Sequence, residues 1–273
     1  MTIDILICTT DEGIDSVGDV LMPSMPGVHY IVSAQHARPL SIMGHDWDAA
    51  VAALLRRPDV TLVTQEGRGL SRNRNNALQH AEADVVVIAD DDCRYTQASI
   101  ARICEAYRQH PEADAVCFAS ADYDGRPFKR YPPTALSYAE ACRQGYYPTS
   151  FELTLRRESL ERDGLLFDEH FGLGAELPAG EEEVFLADAE RAGWRVLFVP
   201  ECIVRTDPAT TGSRFLSDAR LQRAKGAVFR RRFGMGEALW RTFKEVAHHL
   251  VFNRVNPLPI AHNMLQGVWT TLR

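Results

Sequence analysis

Three consecutive aspartates, Asp90, Asp91 and Asp92, directly follow a run of five apolar residues at positions 85–89. Such a run suits a strand covered on both faces, and the aspartates then lie at its carboxyl end, where open α/β sheets bind ligands. Adjacent carboxylates repel one another unless a cation or water relieves their charge. Hard cations such as Mg²⁺ and Mn²⁺ take oxygen ligands and can bridge them to a diphosphate. The triplet is therefore either a metal site or a solvated acidic turn.

Alternating strands and helices surround this triplet. Period-2 and apolar runs predict strands at 3–8, 28–33, 60–64, 85–89 and 115–119, with helices at 46–56, around Arg74 and at 97–110. Ser71 is expected to cap the helix that carries Arg74. The βαβ rhythm indicates a largely parallel sheet. Residues 123–148 break this rhythm with Gly, Pro, Tyr and Arg, and such a loop-rich insert commonly shapes the acceptor side of a site.

Two sequence blocks resemble family 2 glycosyltransferases. The first is RNNALQHAEADVVVIADDD at 74–92, which matches the family's Arg-Asn pair, Ala and Asp-x-Asp motif in spacing. The second, at 171–201, contains GEEEVFL and resembles the family's acidic motif, helix, Gly-aromatic turn and strand. The resemblance covers residues 3–212 and is strongest to bacterial polysaccharide-locus members with GLS-x-x-RN and GEE-x-x-FL signatures, which match residues 69–75 and 180–186. It implies an α/β GT-A fold: a single mixed, mostly parallel sheet flanked by helices, with a Rossmann-like nucleotide-binding half, an acceptor half and a C-terminal helical extension.

The resemblance also implies roles for individual residues. Glu182 matches the general base, although acidic residues at 181–183 also suit the first turn of any helix. Asp92 matches the metal ligand, and Asp207 stands where relatives often carry a metal-binding His, so Asp207 is either an oxygen ligand or part of an ordinary Asp-Pro turn. The expected nucleotide-sugar-binding residues are Thr9, Asp11, Ser33, Gln35, Arg74, Asp90, Asp91 and Glu181.

Two of these expectations depend on chemistry as well as on the resemblance. Arg74 is expected to approach the donor diphosphate, because a guanidinium binds phosphate oxygens bidentately; the alternative is a helix-surface arginine. Ser33 and Gln35 occupy a strand end where many relatives carry an Asp pair that reads the base. Their side chains can still hydrogen-bond a base edge, but this departure leaves the nucleobase open.

The function implied is metal-dependent, inverting sugar transfer with Mn²⁺ or Mg²⁺. The expected donor is a nucleotide-diphosphate sugar, with a UDP-sugar favoured, and the expected acceptor is a saccharide or a lipid-linked saccharide of a bacterial surface polysaccharide. One alternative is a non-catalytic nucleotide- or sugar-binding module of the same fold. Another is a nucleotidyltransferase, which normally needs a Gly-rich, Lys-containing phosphate loop near the first strand, and no such loop is present in the sequence.

Composition and charge favour one large domain with a basic appendage. The 273 residues are 45% hydrophobic, and we expect a catalytic domain at 1–213 and a helical extension at 214–273. Six cysteines without C-x-x-C spacing indicate reduced thiols. With no signal peptide and no run of about 18 apolar residues, we expect a cytoplasmic protein.

The extension differs in charge from the rest of the chain. Residues 214–273 carry 11 Lys/Arg against 3 Asp/Glu, whereas residues 1–213 carry 19 against 34. The segment at 229–252 interleaves basic and aromatic residues, which predicts either binding to an anionic membrane surface at the inner membrane face or packing onto the catalytic domain. The acidic remainder and the lack of a DNA- or RNA-binding motif argue against a nucleic-acid partner.

Overall fold

A mixed sheet of eight strands forms the centre of the first of two compact units in the chain. The computed structural model describes residues 1–11, 13–36, 45–207, 214–253 and 255–270. The strands are β1 (Ile3–Thr10), β2 (Val28–His36), β3 (Val60–Glu66), β4 (Val85–Asp90), β5 (Ala115–Ala121), β6 (Leu136–Ser137), β7 (Leu153–Arg156) and β8 (Val196–Arg205). The helices are α1 (Ile14–Val20), α2 (His45–Leu55), α3 (Leu70–Leu78), α4 (Gln97–Gln109), α5 (Tyr138–Arg143), α6 (Arg157–Asp163), α7 (Glu181–Arg191), α8 (Ala219–His248) and α9 (Pro257–Trp269).

The strand order is β3-β2-β1-β4-β7-β5-β8-β6. The pairs β3/β2, β2/β1, β1/β4 and β5/β8 are parallel, whereas β7 is antiparallel to both β4 and β5, and β6 is antiparallel to β8. This mixed, helix-flanked sheet confirms the predicted fold class. The five predicted strands all form, but β6, β7 and α1 were not predicted. Because β7 has only four residues, its extended form depends on pairing with both neighbours rather than on a long local pattern.

The first unit comprises Met1–Arg68, Arg72–Leu166 and Ala189–Pro208. Its main core lies between the sheet and helices such as α4, whose residues Ile100, Ile103 and Tyr107 are buried at helical intervals. Helix α4 begins at a capping box in which the Thr96 side chain accepts from the amide of Ser99. The cap and the buried face of α4 thus hold this helix against the sheet directly after the acidic triplet.

The second unit comprises Gly69–Ser71, Phe167–Asp188 and Ala209–Arg273. Its core contains Phe171, Leu177, Val184, Ala224, Ala227 and Val228. Helices α8 and α9 pack closely, because a Cβ on Gly226 would lie 2.0 Å from the Met264 carbonyl oxygen and a Cβ on Gly267 would lie 1.9 Å from that of Arg223. The predicted boundary at residue 213 falls outside the described residues and stays a prediction. Among the described residues, no helix combines the length and hydropathy that a membrane crossing requires.

Candidate functional site

The carboxyl ends of β1, β2 and β4 meet at one edge of the sheet in the first unit. Parallel pairing aligns Cys8 of β1 with Asp90 of β4, and Thr10 of β1 with Gln35 of β2. The residues that follow these strands therefore converge, as expected for ligand sites in open α/β sheets. This edge contains every predicted site residue except Glu181 and Glu182, which belong to the second unit.

Asp90 is held through both of its carboxylate oxygens. Arg74 Nη2 donates to Asp90 Oδ1 at 2.8 Å, and Ser150 Oγ donates to Asp90 Oδ2 at 3.2 Å. The Arg74 side chain is 0% exposed, whereas that of Asp90 is 30% exposed. Arg74 is thus a buried partner of Asp90 rather than a helix-surface arginine, because its charge offsets that of the carboxylate in a region with little water. Its predicted contact with a diphosphate stays a prediction.

Asp91 lies against the loop that follows β1. Thr9 Oγ1 donates to Asp91 Oδ2 at 2.5 Å. Burial raises the pKa of Asp91, and the neighbouring charges of Asp90 and Asp92 raise it further, while the Thr9 hydrogen bond opposes the rise. A Cβ on Gly13 would lie 2.3 Å from both Asp91 Oδ2 and Thr9 Oγ1, so only glycine permits this approach. Gly13 was missed in the sequence, where its one signal was its place in the loop after the first strand.

A short antiparallel bridge joins the segments that carry Asp92 and Asp207. The amides and carbonyls of Arg94 and Arg205 exchange two hydrogen bonds, at 2.8 and 3.0 Å. Asp92 lies two residues before Arg94, and Asp207 lies two residues after Arg205, so both aspartates flank the same bridge. Burial raises the pKa of Asp92, as does the charge of Asp90, while a hydrogen bond with the Thr206 side chain lowers it.

Tyr123 covers the same acidic region. Its hydroxyl donates to the Asp92 carbonyl oxygen at 2.7 Å, and the Arg94 guanidinium lies 5.3 Å from the centroid of its ring. Burial raises the pKa of Tyr123, the Arg94 charge opposes this rise, and the charges of Asp92 and Asp207 add to it. The sequence signal for Tyr123 was only that it begins the irregular insert.

Asp92 and Asp207 suit a divalent cation by donor type and by charge. Both supply carboxylate oxygens, and the pKa of Asp92 is raised because burial and a like charge penalise its ionised form, which a cation would relieve. Within the described part of the chain, no group of three His, Cys, Asp or Glu side chains is arranged to hold a metal. The remaining ligands would therefore have to be diphosphate oxygens and water, as is usual for Mg²⁺.

The predicted base-reading residues have partners within the protein. Ser33 is completely buried, and its hydroxyl donates to Asn73 Oδ1 at 2.7 Å and accepts from Asn76 Nδ2 at 2.9 Å. These bonds tie β2 to α3, which explains why α3 is rich in asparagine. Gln35 Nε2 donates to Gln65 Oε1 at 3.2 Å across β2 and β3. Gln35 is 2% exposed, so both predicted base-reading side chains are bonded within the protein, and their contact with a base stays a prediction.

Within the first unit, the irregular insert at 123–148 is held in place by contacts with Glu152, whose side chain is 0% exposed. Lys129 Nζ lies 2.8 Å from Glu152 Oε2, and its side chain is 5% exposed. The hydroxyls of Ser120, Tyr131 and Tyr146 donate to the same carboxylate at 2.8, 2.5 and 3.0 Å. Glu152 shares the 3₁₀ turn Ser150–Glu152 with the serine that donates to Asp90. The insert and the acidic edge are thereby linked by one short turn.

In the second unit, the three glutamates that open α7 have different surroundings. Glu181 is buried beside the turn at Gly172, where a Cβ would lie 3.4 Å from Glu181 Cδ. Glu183 forms an ion pair with Arg232 of α8. Glu182, between them, is partly exposed. Ser71, predicted as an N-cap, instead lies inside the first turn of α3 and donates to the Phe171 carbonyl at 2.6 Å.

The chain is similar in sequence to one protein family and in structure to several glycosyltransferases. Residues 46–171 match the model described as Glycosyl transferase family 2. No curated protein sequence matches the chain. The chain is similar to S. aureus TarS 1–349 (16% identity, TM-score 0.61, covering 98% of this chain and 81% of that one) and to its complex with UDP-GlcNAc (15%, 0.57, 92% and 73%). It is also similar to the mannosyltransferase PcManGT from Pyrobaculum calidifontis in complex with GDP-Man and Mn²⁺ (18%, 0.60, 99% and 76%).

Proposed function

The chain has the GT-A fold of family 2 glycosyltransferases, and on that premise we propose that it is a metal-dependent, inverting sugar transferase that uses a UDP-sugar. The observation that carries the proposal is the edge of the first unit, where the Asp90–Arg74 pair, the Asp91–Thr9 pair and the bridge flanked by Asp92 and Asp207 converge. The UDP-GlcNAc complex of TarS supports a uridine nucleotide, and the Mn²⁺ of PcManGT supports the metal.

Asp92 and Asp207 would hold Mn²⁺ or Mg²⁺, and the protein's other side chains would orient the donor. When bound, the cation would neutralise negative charge on the departing diphosphate. The Asp90 carboxylate, held in place by Arg74 and Ser150, would accept a hydrogen bond from a hydroxyl group of the nucleotide sugar or from a water molecule. Thr9, Asp11 and Gln35 would contact the nucleoside. Electrostatic stabilisation by a site that is already organised needs little rearrangement during reaction.

Glu182 would act as the general base. It would take the proton of an acceptor hydroxyl as that oxygen bonds to the anomeric carbon, while the bond from this carbon to the diphosphate oxygen breaks and the configuration inverts. Glu182 is the residue that matches the general base in the resemblance, and it is partly exposed, as contact with a substrate requires, whereas Glu181 is buried.

The acceptor would be a saccharide or a lipid-linked saccharide of a bacterial surface polysaccharide, assembled at the cytoplasmic face of the membrane. The polysaccharide-type GLS and GEE signatures near 69–75 and 180–186 support this role. The insert at 123–148, fastened by Lys129 and Glu152, would shape the acceptor side.

Two measurements test the proposal. The first is a thermal-shift panel of nucleoside diphosphates with Mn²⁺ or with a chelator; a ligand at 100 times its dissociation constant should stabilise the fold by about 2.7 kcal/mol. UDP with Mn²⁺ should give the largest shift, and shifts that are equal with Mn²⁺ and with chelator would refute the metal dependence. The second is hydrolysis of the UDP-sugar, which separates an enzyme from a non-catalytic binding module.

A matched series of variants tests the base. Glu182→Gln keeps size and hydrogen bonding but cannot accept a proton, so turnover should fall by roughly 10² to 10⁴ with donor affinity nearly unchanged. Glu181→Gln and Glu183→Gln are the controls. A larger loss of turnover in either control would show that the base lies elsewhere in the motif.

A further inference from the structure

Large apolar side chains are exposed along the second half of α8 and the π-helical turn that continues it. Trp240 is 53% exposed, Phe243 62% and Phe252 73%. Together with Leu250 and Val251, they form what we call the aromatic stripe. More than half of the large exposed apolar side chains in the described part of the chain lie between residues 240 and 269. A concentration of this kind marks an interaction surface, whereas scattered single residues do not.

Within α8 the stripe lies on one side of the helix. Trp240 and Phe243 are three residues apart on that side, and Leu250, Val251 and Phe252 are exposed together in the π-helical turn His249–Asn253. The buried residues of the same segment, Ala238 and Thr242, lie on the opposite side. Glu245 also lies on that side, and its carboxylate accepts from Lys225 Nζ at 2.6 Å. The helix therefore packs through one face within the second unit and presents its most apolar face outward.

The basic cluster at the start of the segment is used inside the second unit. Arg231 Nη2 lies 2.8 Å from Asp188 Oδ2, and Arg232 pairs with Glu183, so both arginines bind α7. Non-helical backbone at Gly234, with φ of 77°, separates this cluster from the stripe. The packing alternative expected a solvated basic face, whereas before Gly234 both arginines form ion pairs with α7. The membrane contact stays a prediction.

We propose that the aromatic stripe binds the surface of a lipid bilayer that contains anionic lipid. Charge complementarity supports this occupant, because residues 240–273 carry four Lys or Arg against a single Glu. Lys244 Nζ lies 5.7 Å from the Trp240 ring centroid and adds a cation at the edge of the stripe. Tryptophan and phenylalanine are favoured at the boundary between headgroups and acyl chains, and a helix of this composition lies in the plane of that boundary.

The inference rests on the proposed function only in that a lipid-linked acceptor would lie at the same surface. Vesicle binding is measured without any sugar, so the two can fail separately. A protein that transfers sugar but ignores vesicles would refute the stripe as a membrane contact, whereas one that binds vesicles but neither hydrolyses nor transfers would refute the proposed function alone.

The test is flotation of the full chain with vesicles of equal parts phosphatidylcholine and phosphatidylglycerol. The triple variant Trp240→Ser, Phe243→Ser, Phe252→Ser should bind about 100-fold more weakly, because three aromatic side chains no longer leave water. The matched control replaces three exposed leucines elsewhere, Leu55→Ser, Leu166→Ser and Leu173→Ser, and should bind as the wild type does. Circular dichroism and donor hydrolysis, retained in both, verify folding.

Tryptophan fluorescence reports whether the stripe itself enters the lipid. Trp47 and Trp194 are buried, while Trp240 and Trp269 are exposed, so in Trp269→Phe only Trp240 can respond strongly to vesicles. The emission of Trp240 should move to shorter wavelength on vesicle binding, and this shift should be lost when Phe243→Ser and Phe252→Ser are added to Trp269→Phe. If the wild type does not float, or if both triple variants lose binding equally, the proposal is wrong. The proposal is also wrong if the wild type binds no vesicles and instead forms oligomers that the stripe variant does not form. A second copy of the chain would then cover the stripe.

Discussion

Breaking the buried pair of Lys129 and Glu152 should destabilise the first unit more than any surface charge change in the insert. Lys129→Met leaves the Glu152 carboxylate, which is 0% exposed, with three hydroxyl donors but no cation. Removing one partner of a buried ion pair typically costs about 3–5 kcal/mol, because the remaining charge stays desolvated. The same cost is expected for Glu152→Gln, which leaves a buried ammonium without its carboxylate.

The double variant Lys129→Met/Glu152→Gln separates charge from packing. It removes both charges and keeps an acceptor for the tyrosine hydroxyls, so its free energy of unfolding should exceed that of either single variant. Urea denaturation followed by circular dichroism measures all three, with equal slopes required for comparison. UDP affinity in Mn²⁺ provides a second readout, since Ser150 on the same turn donates to Asp90.

Arg126→Met is the control for this cycle. Arg126 pairs with Asp124 in the same insert, but both side chains are more than two-thirds exposed, so little change in stability is expected. A loss below about 1 kcal/mol for Lys129→Met, or a double variant whose loss equals the sum of the two single losses, would refute the argument that this pair is held as a desolvated unit.

Two further predictions concern the acidic edge. Because burial raises the pKa of Asp92 above its ordinary value of 3.8, the folded state holds this proton more tightly, and the free energy of unfolding should fall as pH rises from 3.8 through the folded pKa. Asp92→Asn should therefore be more stable than the metal-free wild type at neutral pH yet lose Mn²⁺-dependent UDP binding; a variant less stable than wild type in a pH series of urea titrations would contradict this. Gly13→Ala should displace Asp91 and Thr9, lowering stability by about 1–3 kcal/mol and weakening UDP binding. Gly18→Ala lies within α1, which Gly13 immediately precedes; its Cβ meets no atom within 4 Å, so the change should be neutral or stabilising. Equal effects of the two alanines in thermal and UDP titrations would refute the steric argument.

Local patterns were sufficient for the strands that carry the site. The apolar run that became β4 is fully buried and ends at Asp90, and the edge that it shares with β1 follows from parallel pairing. The fold class and the resemblance to family 2 glycosyltransferases were confirmed by the sheet and by the comparisons. Such features can be predicted from sequence because a strand buried on both faces is a continuous apolar run, and a strand buried on one face has an apolar residue at every second position.

Contacts between residues distant in sequence were decided only by the tertiary structure. The bridge between Arg94 and Arg205 joins positions more than 100 residues apart and brings together the segments that carry Asp92 and Asp207, and no hydrophobic pattern in the chain encodes it. The burial of Arg74 and the ion pair of Arg232 with Glu183 are likewise invisible in sequence, where an arginine in a helix looks the same whether it faces water or a carboxylate. The physical reason is that hydrophobic pattern is local, whereas the partner of a charge depends on which segments packing brings together.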